Sequence, residues 1–479
     1  MSELDVKDSA TWHWQPWQAQ EREDFFATIE KHRRLAWRVT AVCLLAYSIL
    51  ALVMSVLLAP LIYCVIGLVF DLLNLLIPMP DLLGSMLRFI TALLDDPLQV
   101  ALPELLKGLS LALLPGLVLM LWLGYNIASA LKQPTWLNHA ATPSDLSISV
   151  LTERQFKNVV EEMAIAALIP VPRVQVVQGG ANAAALGLTE QSATILVGDA
   201  LLKSLNRAQL QGVAAHLISS IAEHDVKIGL QTSTVMGVFS LIARFAFSAT
   251  DAAQRKQVGQ LWRAMFRRDV AGRTMLLTNL VDPFSEDAAQ PKPTKDSNQL
   301  TWREWLSLPL MGPVFMSAFL GQFVNSLLLS PLISVVWRQR KYMADASAVK
   351  LTREPNTLAS ALQVLRDTDT HLLMTAWTSH FCVVQPGKIS GLIIPMFPAI
   401  EKRLKALIRL GAEPIVLRPD QTLSDVWQQA GWRLVIIVVL GLIAAALIIV
   451  LIPMLVVVSM MLTLLMTLLP TALLHALLR

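Results

Sequence analysis

The chain has 479 residues, of which 54% are hydrophobic and 15% are charged, with a formal net charge of +4. Soluble proteins average roughly 45–50% apolar and about 25% charged residues, so the composition indicates a membrane protein with a soluble portion. The small net charge gives no indication of nucleic acid as a partner. Three cysteines without a C-x-x-C spacing argue against a disulfide framework or a thiolate zinc site.

Residues 1–38 are polar and mixed in charge, and they predict a cytoplasmic N-terminal segment that contains an amphipathic helix. Basic residues are enriched on the cytoplasmic side of membrane spans. Four of them crowd the start of the first apolar run, namely Lys31, Arg33, Arg34 and Arg38. We therefore expect the N-terminus to face the cytoplasm.

Residues 39–132 are predicted to form an N-terminal membrane region. A spanning helix needs about 20 predominantly apolar residues, and the uncharged runs at 39–70 and 108–131 exceed that length. The sequence between them is apolar but interrupted by prolines and by Asp95 and Asp96, which indicates an interfacial segment. Two crossings return the chain to the cytoplasm.

Residues 133–227 have the composition of a soluble domain and are interpreted as its first half. Apolar residues at helical spacing predict helices, and alternation of apolar and polar residues predicts strands. The predicted elements are a helix at 150–168, a strand at 173–177, a small-residue loop at 179–187, a strand at 193–197 and a short helix at 199–205. Asn206 or Ser204 can cap the long helix that follows.

The remainder of the chain alternates between apolar and soluble-like sequence. The predicted parts are two apolar segments flanking a polar insertion (228–337, insertion 248–304), the second half of the soluble domain (338–431) and a C-terminal transmembrane hairpin (432–479). Two alternatives stay open for 228–247 and 305–337. Either both segments cross the membrane, or neither crosses fully and the insertion stays cytoplasmic.

One histidine on the long helix marks a candidate metal site. A zinc-peptidase helix reads H-E-x-x-H: two histidines grip the metal from one helix face, and the glutamate is the general base. Here His216 is followed by Leu217 where the glutamate would stand and by Ser220 where the second histidine would stand. His216 is therefore either a packed, hydrogen-bonded relic or a residual metal or proton site.

Several short stretches in a fixed order carry a family resemblance. They are IPVPRVQV at 169–176, Asn182-Ala183, ILV at 195–197, AAH at 214–216 with Asp225, and RKYMAD at 340–345. Together they resemble the HtpX-like and CAAX-prenyl-protease-like membrane zinc metallopeptidases over about residues 140–405. The resemblance implies an α-helical multi-pass membrane protein with an α+β, mostly helical, zincin-like metallopeptidase domain.

The chain departs from this family at the positions that carry its chemistry. The family's ligand positions correspond to His216, Ser220 and Lys341, and its base position corresponds to Leu217, so the resemblance implies no catalytic residue and no metal ligand set. An ammonium at the third position would repel a cation, and Phe397 stands where the family often has a histidine. Since a catalytic zinc takes about three protein ligands, we expect no cofactor, or zinc if atypical ligands replace the lost ones.

Four polar residues around this position are candidates for a relic site. His216, Asp225 and Asp345 are retained, and we interpret the two carboxylates as supporting or fold-holding residues. The ammonium of Lys341 either fills the vacant metal position, pairing with Asp345 or Asp225, or reaches solvent. Asn182 lies in the loop that borders the substrate strand in the family, so it is a substrate-loop candidate, or it satisfies turn backbone.

The sequence thus favours a catalytically inactive pseudoprotease in a bacterial-type inner (cytoplasmic) membrane, with its N-terminus and metallopeptidase-like domain in the cytoplasm. Besides the lipid bilayer, the expected partner is a polypeptide client or an active protease, and a peptide could be held by strand addition along the edge strand. Two alternatives stay open: an active zinc-dependent membrane endopeptidase with atypical ligands, and a transport or channel component.

Overall fold

A computed structural model of the chain describes two N-terminal helices and one mixed α/β domain. The described residues are 23–74, 102–131, 144–145, 150–187, 189–225, 227–229, 252–266, 330–372, 381–385 and 397–418, with isolated positions at 77–78, 91 and within 238–248. The predicted C-terminal hairpin at 432–479, most of the insertion at 248–304 and the first 22 residues lie outside this part, as do most of the two apolar segments at 228–247 and 305–337.

Two long helices precede the domain. Helix α1 covers Phe25–Asn74 and helix α2 covers Leu102–Leu131, so the runs predicted as spans are helical. The two helices approach closely at Gly116, where an added Cβ would lie 2.3 Å from the backbone oxygen of Ser55. Among the described residues, no helix combines the length and hydropathy that a membrane crossing requires. The crossings themselves stay predictions.

A four-stranded sheet lies on one side of the domain. Its strands are β1 (Ser144–Asp145), β2 (Arg173–Val177), β3 (Ala183–Leu186) and β4 (Thr194–Gly198), in the spatial order β1-β2-β4-β3. Strands β2 and β4 run parallel, with Val174 opposite Ile195, and the outer strands pair antiparallel. The predicted strands at 173–177 and 193–197 are therefore confirmed, the second shifted by one residue.

The prediction of a loop at 179–187 was wrong, because β3 occupies its centre. Residues 183–186 read Ala-Ala-Ala-Leu, a pattern without β-branched or aromatic side chains. All four are buried and pair antiparallel with β4, from Ala183 opposite Val197 to Leu186 opposite Thr194. Tertiary pairing, and not local preference, makes this stretch a strand.

Seven helices complete the described part of the domain. They are α3 (Leu151–Ala167), α4 (Asp199–Ser204), α5 (Arg207–Ala222), α6 (Ala252–Phe266), α7 (Ser330–Thr352), α8 (Pro355–Asp367) and α9 (Ile400–Arg409). The predicted helices at 150–168 and 199–205 are confirmed as α3 and α4. Asn206 is the N-cap of α5: its side chain accepts from the backbone N–H of Gln209, whose side chain accepts in return from that of Asn206.

Helix α5 is the centre of the domain. It packs against α3, α7, α8 and β3, and α7 packs in turn against α1. Every residue from Gly212 to Ile221 is buried, so α5 has no solvent face over this stretch. A polar residue on it must therefore find its partner inside the protein.

Gly212 tests how tightly α5 packs. A Cβ there would lie 2.5 Å from the backbone nitrogen of Leu358 in α8, whereas a Cβ at Gly259 in α6 would meet nothing within 4 Å. We expect Gly212→Ala to destabilise the protein by about 1–3 kcal/mol, because backbone must move to admit the methyl group. Thermal unfolding of the purified variants measures this.

Gly259→Ala is the matched control. It adds the same methyl group to a helix with open space around it, so it should be neutral or stabilising, since alanine is the better helix former. Equal effects of the two substitutions would contradict the packing of α5 against α8.

Candidate functional site

The histidine of α5 contacts a buried carboxylate–arginine pair. His216 Nδ1 lies 2.8 Å from Asp345 Oδ1, and Nε2 has no hydrogen-bond partner among the described residues. Arg403 of α9 donates two hydrogen bonds to Asp345, from Nε to Oδ2 at 2.8 Å and from Nη2 to Oδ1 at 2.7 Å. All three residues are at most 1% exposed.

The charges of this unit are unequally distributed. Burial by itself would raise the pKa of Asp345, but the charge and two hydrogen bonds of Arg403 outweigh it and hold the pKa well below its usual range. Burial lowers the pKa of His216 to about 4, although Asp345 acts in the opposite direction. His216 is therefore neutral at pH 7, and the ion pair is Asp345 with Arg403.

Lys341 is buried and bonded to backbone. Its Nζ donates to the carbonyl oxygen of Cys382 at 2.6 Å and lies 5.3 Å from the ring centroid of Phe397. The expectation that Lys341 pairs with Asp345 or Asp225 was wrong, because Arg403 already holds the first and Arg340 the second. The alternative that it reaches solvent was wrong too, since it is 4% exposed. Burial, and secondarily the charge of Arg403, lower its pKa to about 8.

A second buried ion pair lies at the end of α5. Asp225 accepts from Nε of Arg340 through Oδ1 and from the hydroxyl of Ser220 through Oδ2, the latter at 2.9 Å. Burial raises the pKa of Asp225, although Arg340 acts against that shift. Nη2 of Arg340 also donates to the carbonyl oxygen of Glu223 at 2.5 Å. Ser220, at the family's second ligand position, thus holds a carboxylate.

The side chain of Glu223 connects this pair to the first long helix. Arg33 of α1 donates from Nη2 to both carboxylate oxygens of Glu223, at 2.8 and 2.9 Å. Nearby, His32 of α1 contacts Gln339 at 2.6 Å and stacks on Tyr342 of α7. The N-terminal helix is therefore attached directly to the helix that carries Arg340 and Lys341.

The side chain of Asn182 binds the backbone of residues 382–384, which lie along the outer edge of β3. Its amide nitrogen donates to the carbonyl oxygens of Thr370 (3.1 Å) and Val384 (2.8 Å), and its amide oxygen accepts from the backbone N–H of Val384 at 3.2 Å. The N–H of Val383 donates to the carbonyl of Ala183, and Cys382 pairs with Ala184 as an antiparallel bridge. Asn182 therefore satisfies backbone groups, the second of its two predicted roles.

Lys341 and Arg403 also bind the backbone of residues 382–384. Lys341 donates a hydrogen bond to the carbonyl oxygen of Cys382, and Nη1 of Arg403 donates one to the carbonyl oxygen of Val383 at 2.6 Å. Residues 382–384 are thus bound by Asn182, Lys341 and Arg403 together. Strand addition of a peptide beside Ala183 is blocked in this conformation because this backbone already occupies that edge.

The structure brings the predicted site residues into one region and explains their neighbours. Leu217 is 1% exposed and belongs to the apolar core cluster around α5. Asp225 and Asp345 hold arginines, in keeping with their predicted fold-holding role. The arginines themselves, Arg340 and Arg403, were not predicted as site residues. A signal was available, because Arg340 begins the family-like stretch at 340–345 and Arg403 lies six residues after Phe397.

These side chains do not form a ligand set that suits a catalytic zinc. Of the three family positions, only His216 offers a zinc ligand, while Ser220 donates to Asp225 and Lys341 carries a cation. Among the residues that the structure describes, no group of three histidines, cysteines or carboxylates could share a metal. We therefore derive no chemical step through zinc.

Comparison with known protein families matches residues 150–409 to peptidase family M48. This match covers more than half of the chain. The chain belongs to peptidase family M48. The matched range runs from just before α3 to the end of α9, so it contains strands β2 to β4, both buried ion pairs and the position of Lys341.

Individual relatives agree with this assignment. The chain is similar to proteins named protease HtpX homolog from Dictyoglomus thermophilum (30% identical, 53% of this chain, 68% of the relative), Thermoanaerobacter pseudethanolicus (27%, 52% and 70%) and Lactobacillus helveticus (26%, 63% and 85%). No solved structure matches the chain. The resemblance to HtpX-like metallopeptidases is therefore confirmed.

Replacing Asp345 should lower the free energy of unfolding much more than replacing a surface aspartate. Asp345→Asn removes the charge that neutralises Arg403 while that arginine stays buried, and breaking a buried ion pair on one side costs about 3–5 kcal/mol. Asp367→Asn is the control, because Asp367 pairs with Arg418 at the surface, where ion pairs contribute little. Chemical denaturation compares them, and equal losses would contradict a central role for the buried pair.

Lys341 should leave a signature in the pH dependence of stability. Its pKa is about 8 in the folded protein and 10.5 without the fold's influence. Between these values the unfolded chain binds more protons, so stability should rise with pH, by at most about 1.4 kcal/mol per pH unit. Lys341→Met should abolish this increment from pH 8 to 10.5.

The matched control for this experiment is Lys350→Met, the same substitution at an exposed position of the same helix. It should keep the pH profile of the unmodified protein in denaturant titrations. An unchanged profile in Lys341→Met would show that Lys341 is not buried as a titrating cation.

Proposed function

We propose that this M48 family member is a multi-pass inner-membrane protein that has lost zinc and hydrolysis, and that its retained domain binds a polypeptide client or an active protease. The proposal rests on the burial of Lys341 and on its hydrogen bond to backbone. At the family's third ligand position stands a buried ammonium whose acceptor is the chain's own Cys382 carbonyl. A cation fixed there opposes a second cation by direct repulsion.

The buried ion pair of Asp345 and Arg403 supports a role for the domain other than hydrolysis. A buried ion pair contributes little net stability unless its geometry is good and its remaining hydrogen-bonding groups are satisfied. Asp345 and Arg403 meet that condition with two mutual hydrogen bonds and a third from Arg403 to Val383. We expect such a fully hydrogen-bonded buried ion pair in a domain whose fold is under selection.

A membrane location is supported by the two N-terminal helices. The runs 39–70 and 108–131 contain no charged residue, and both helices leave large apolar side chains uncovered by the described part of the protein. Those more than half exposed include Val42 and Leu45 on α1 and Leu114, Val118, Leu121 and Tyr125 on α2. Lipid is the covering that suits such surfaces.

The outer edge of β3 is not open to a client in this conformation. Because residues 382–384 occupy the outer edge of β3, a peptide cannot pair beside Ala183 without displacing them. We therefore propose that a client or protease partner contacts other surfaces of the domain or the membrane helices.

Metal analysis tests the loss of zinc. We expect the full chain, purified in detergent without chelator, to contain far less than one zinc per chain by mass spectrometry. Stoichiometric zinc that disappears on His216→Ala would sink the proposal and favour an atypical zinc enzyme.

Restoring the ligands tests the assignment of the three positions. The triple variant Leu217→Glu, Ser220→His and Lys341→Glu should bind about one zinc per chain, because it supplies two histidines and a carboxylate around the same point. The double variant that keeps Lys341 is the matched control and should bind much less. If a folded triple variant binds no more zinc than the double variant, Lys341 does not stand at the third ligand position.

A further inference from the structure

The buried charges beside α5 do not balance. Asp225 is paired with Arg340, and Asp345 is paired with Arg403. Lys341 has no carboxylate within 4.0 Å among the described residues, and its hydrogen-bond acceptor is a neutral carbonyl. With His216 neutral, this cluster carries one buried positive charge in excess. Buried charges are normally paired, so a counter-charge is expected.

A cavity lies beside this unbalanced charge. Its lining residues are Ala185, Ser220, Asp225, Trp337, Arg340, Lys341 and Phe381. The space it offers to a water-sized molecule is only about 10 Å³, about what one water needs, which restricts an occupant to a single atom or ion close to that size. The charged lining residues are two cations and one carboxylate, so the wall of the cavity is net positive.

The polar groups of the lining are arranged for a negative occupant. Lys341 has three N–H donors and gives one to Cys382, and Arg340 uses Nε and Nη2 but not Nη1 among its described contacts. The Asp225 carboxylate also lines the cavity, but one oxygen already accepts from Arg340 and the other from Ser220. Donors therefore remain available, while the carboxylate that would oppose an anion is neutralised.

We infer that this cavity, at the position of the family's metal, binds a monatomic anion such as chloride, held by Lys341 and Arg340. The site would thus have exchanged a cation for an anion when its third ligand became a lysine. The inference rests on the proposed absence of zinc, which the metal analysis above tests separately.

Thermal unfolding at constant ionic strength and pH tests the site. Replacing gluconate, which is too large for the cavity, by chloride should raise the unfolding midpoint saturably, since a ligand that binds only the folded state stabilises it. We expect a shift of roughly 2–4 °C. Lys341→Met should lose the shift, and Lys350→Met on the same helix should keep it. An equal chloride response in both variants, or none in the unmodified chain, would overturn the inference.

A direct measurement covers the case in which Lys341→Met does not fold. Crystals of the full chain grown in bromide should give an anomalous peak beside Lys341 Nζ and Arg340. Density for water alone at that place would overturn the anion site while leaving the proposed loss of zinc intact. A zinc peak there would overturn both.

Discussion

The domain depends on one carboxylate. Asp345 is 1% exposed and is shared between Arg403 and His216, so it joins α7, α9 and α5 at a single point. Its two oxygens both accept from Arg403, and the remaining terminal nitrogen of that arginine holds the backbone of Val383. The desolvation of two charges is offset only by such complete pairing, which fixes how the three helices and this segment are placed.

The residues that the family resemblance aligns with catalytic positions are parts of this framework. Ser220 donates to the carboxylate of Asp225, Lys341 donates to the carbonyl of Cys382, and Leu217 belongs to the apolar core. Each of these side chains therefore serves packing or hydrogen bonding within the fold. They lie where α5, α7, the edge of β3 and residues 382–384 meet.

Local signals in the sequence were sufficient for much of the fold. Apolar spacing gave α3 its correct extent within one or two residues, alternation located β2, and the Asn206 cap followed from side-chain chemistry. Strand β3 was missed because three alanines have no strand preference of their own. Its existence depends on β4 and on residues almost 200 positions away, which no local pattern contains.

The contacts around Lys341 could not be predicted from the sequence. Family order assigned His216, Ser220 and Lys341 to the ligand positions, and this assignment stays a prediction. The acceptor of Lys341 is 41 residues away, in a segment with no motif, and Arg403 reaches Asp345 across 58 residues. The sequence offered Asp345 or Asp225 as the partner of Lys341, but arginines hold both carboxylates.

The bond between Lys341 and Cys382 also bears on how such a domain can evolve. A glutamate at this position would direct carboxylate oxygens towards a carbonyl oxygen, and a histidine at 220 would remove the hydroxyl that supports Asp225. Either single substitution would therefore weaken the fold without completing a zinc ligand set. Under the proposed loss of zinc, the hydrogen bonds to Asp225 and to the Cys382 carbonyl would make that loss hard to reverse one substitution at a time.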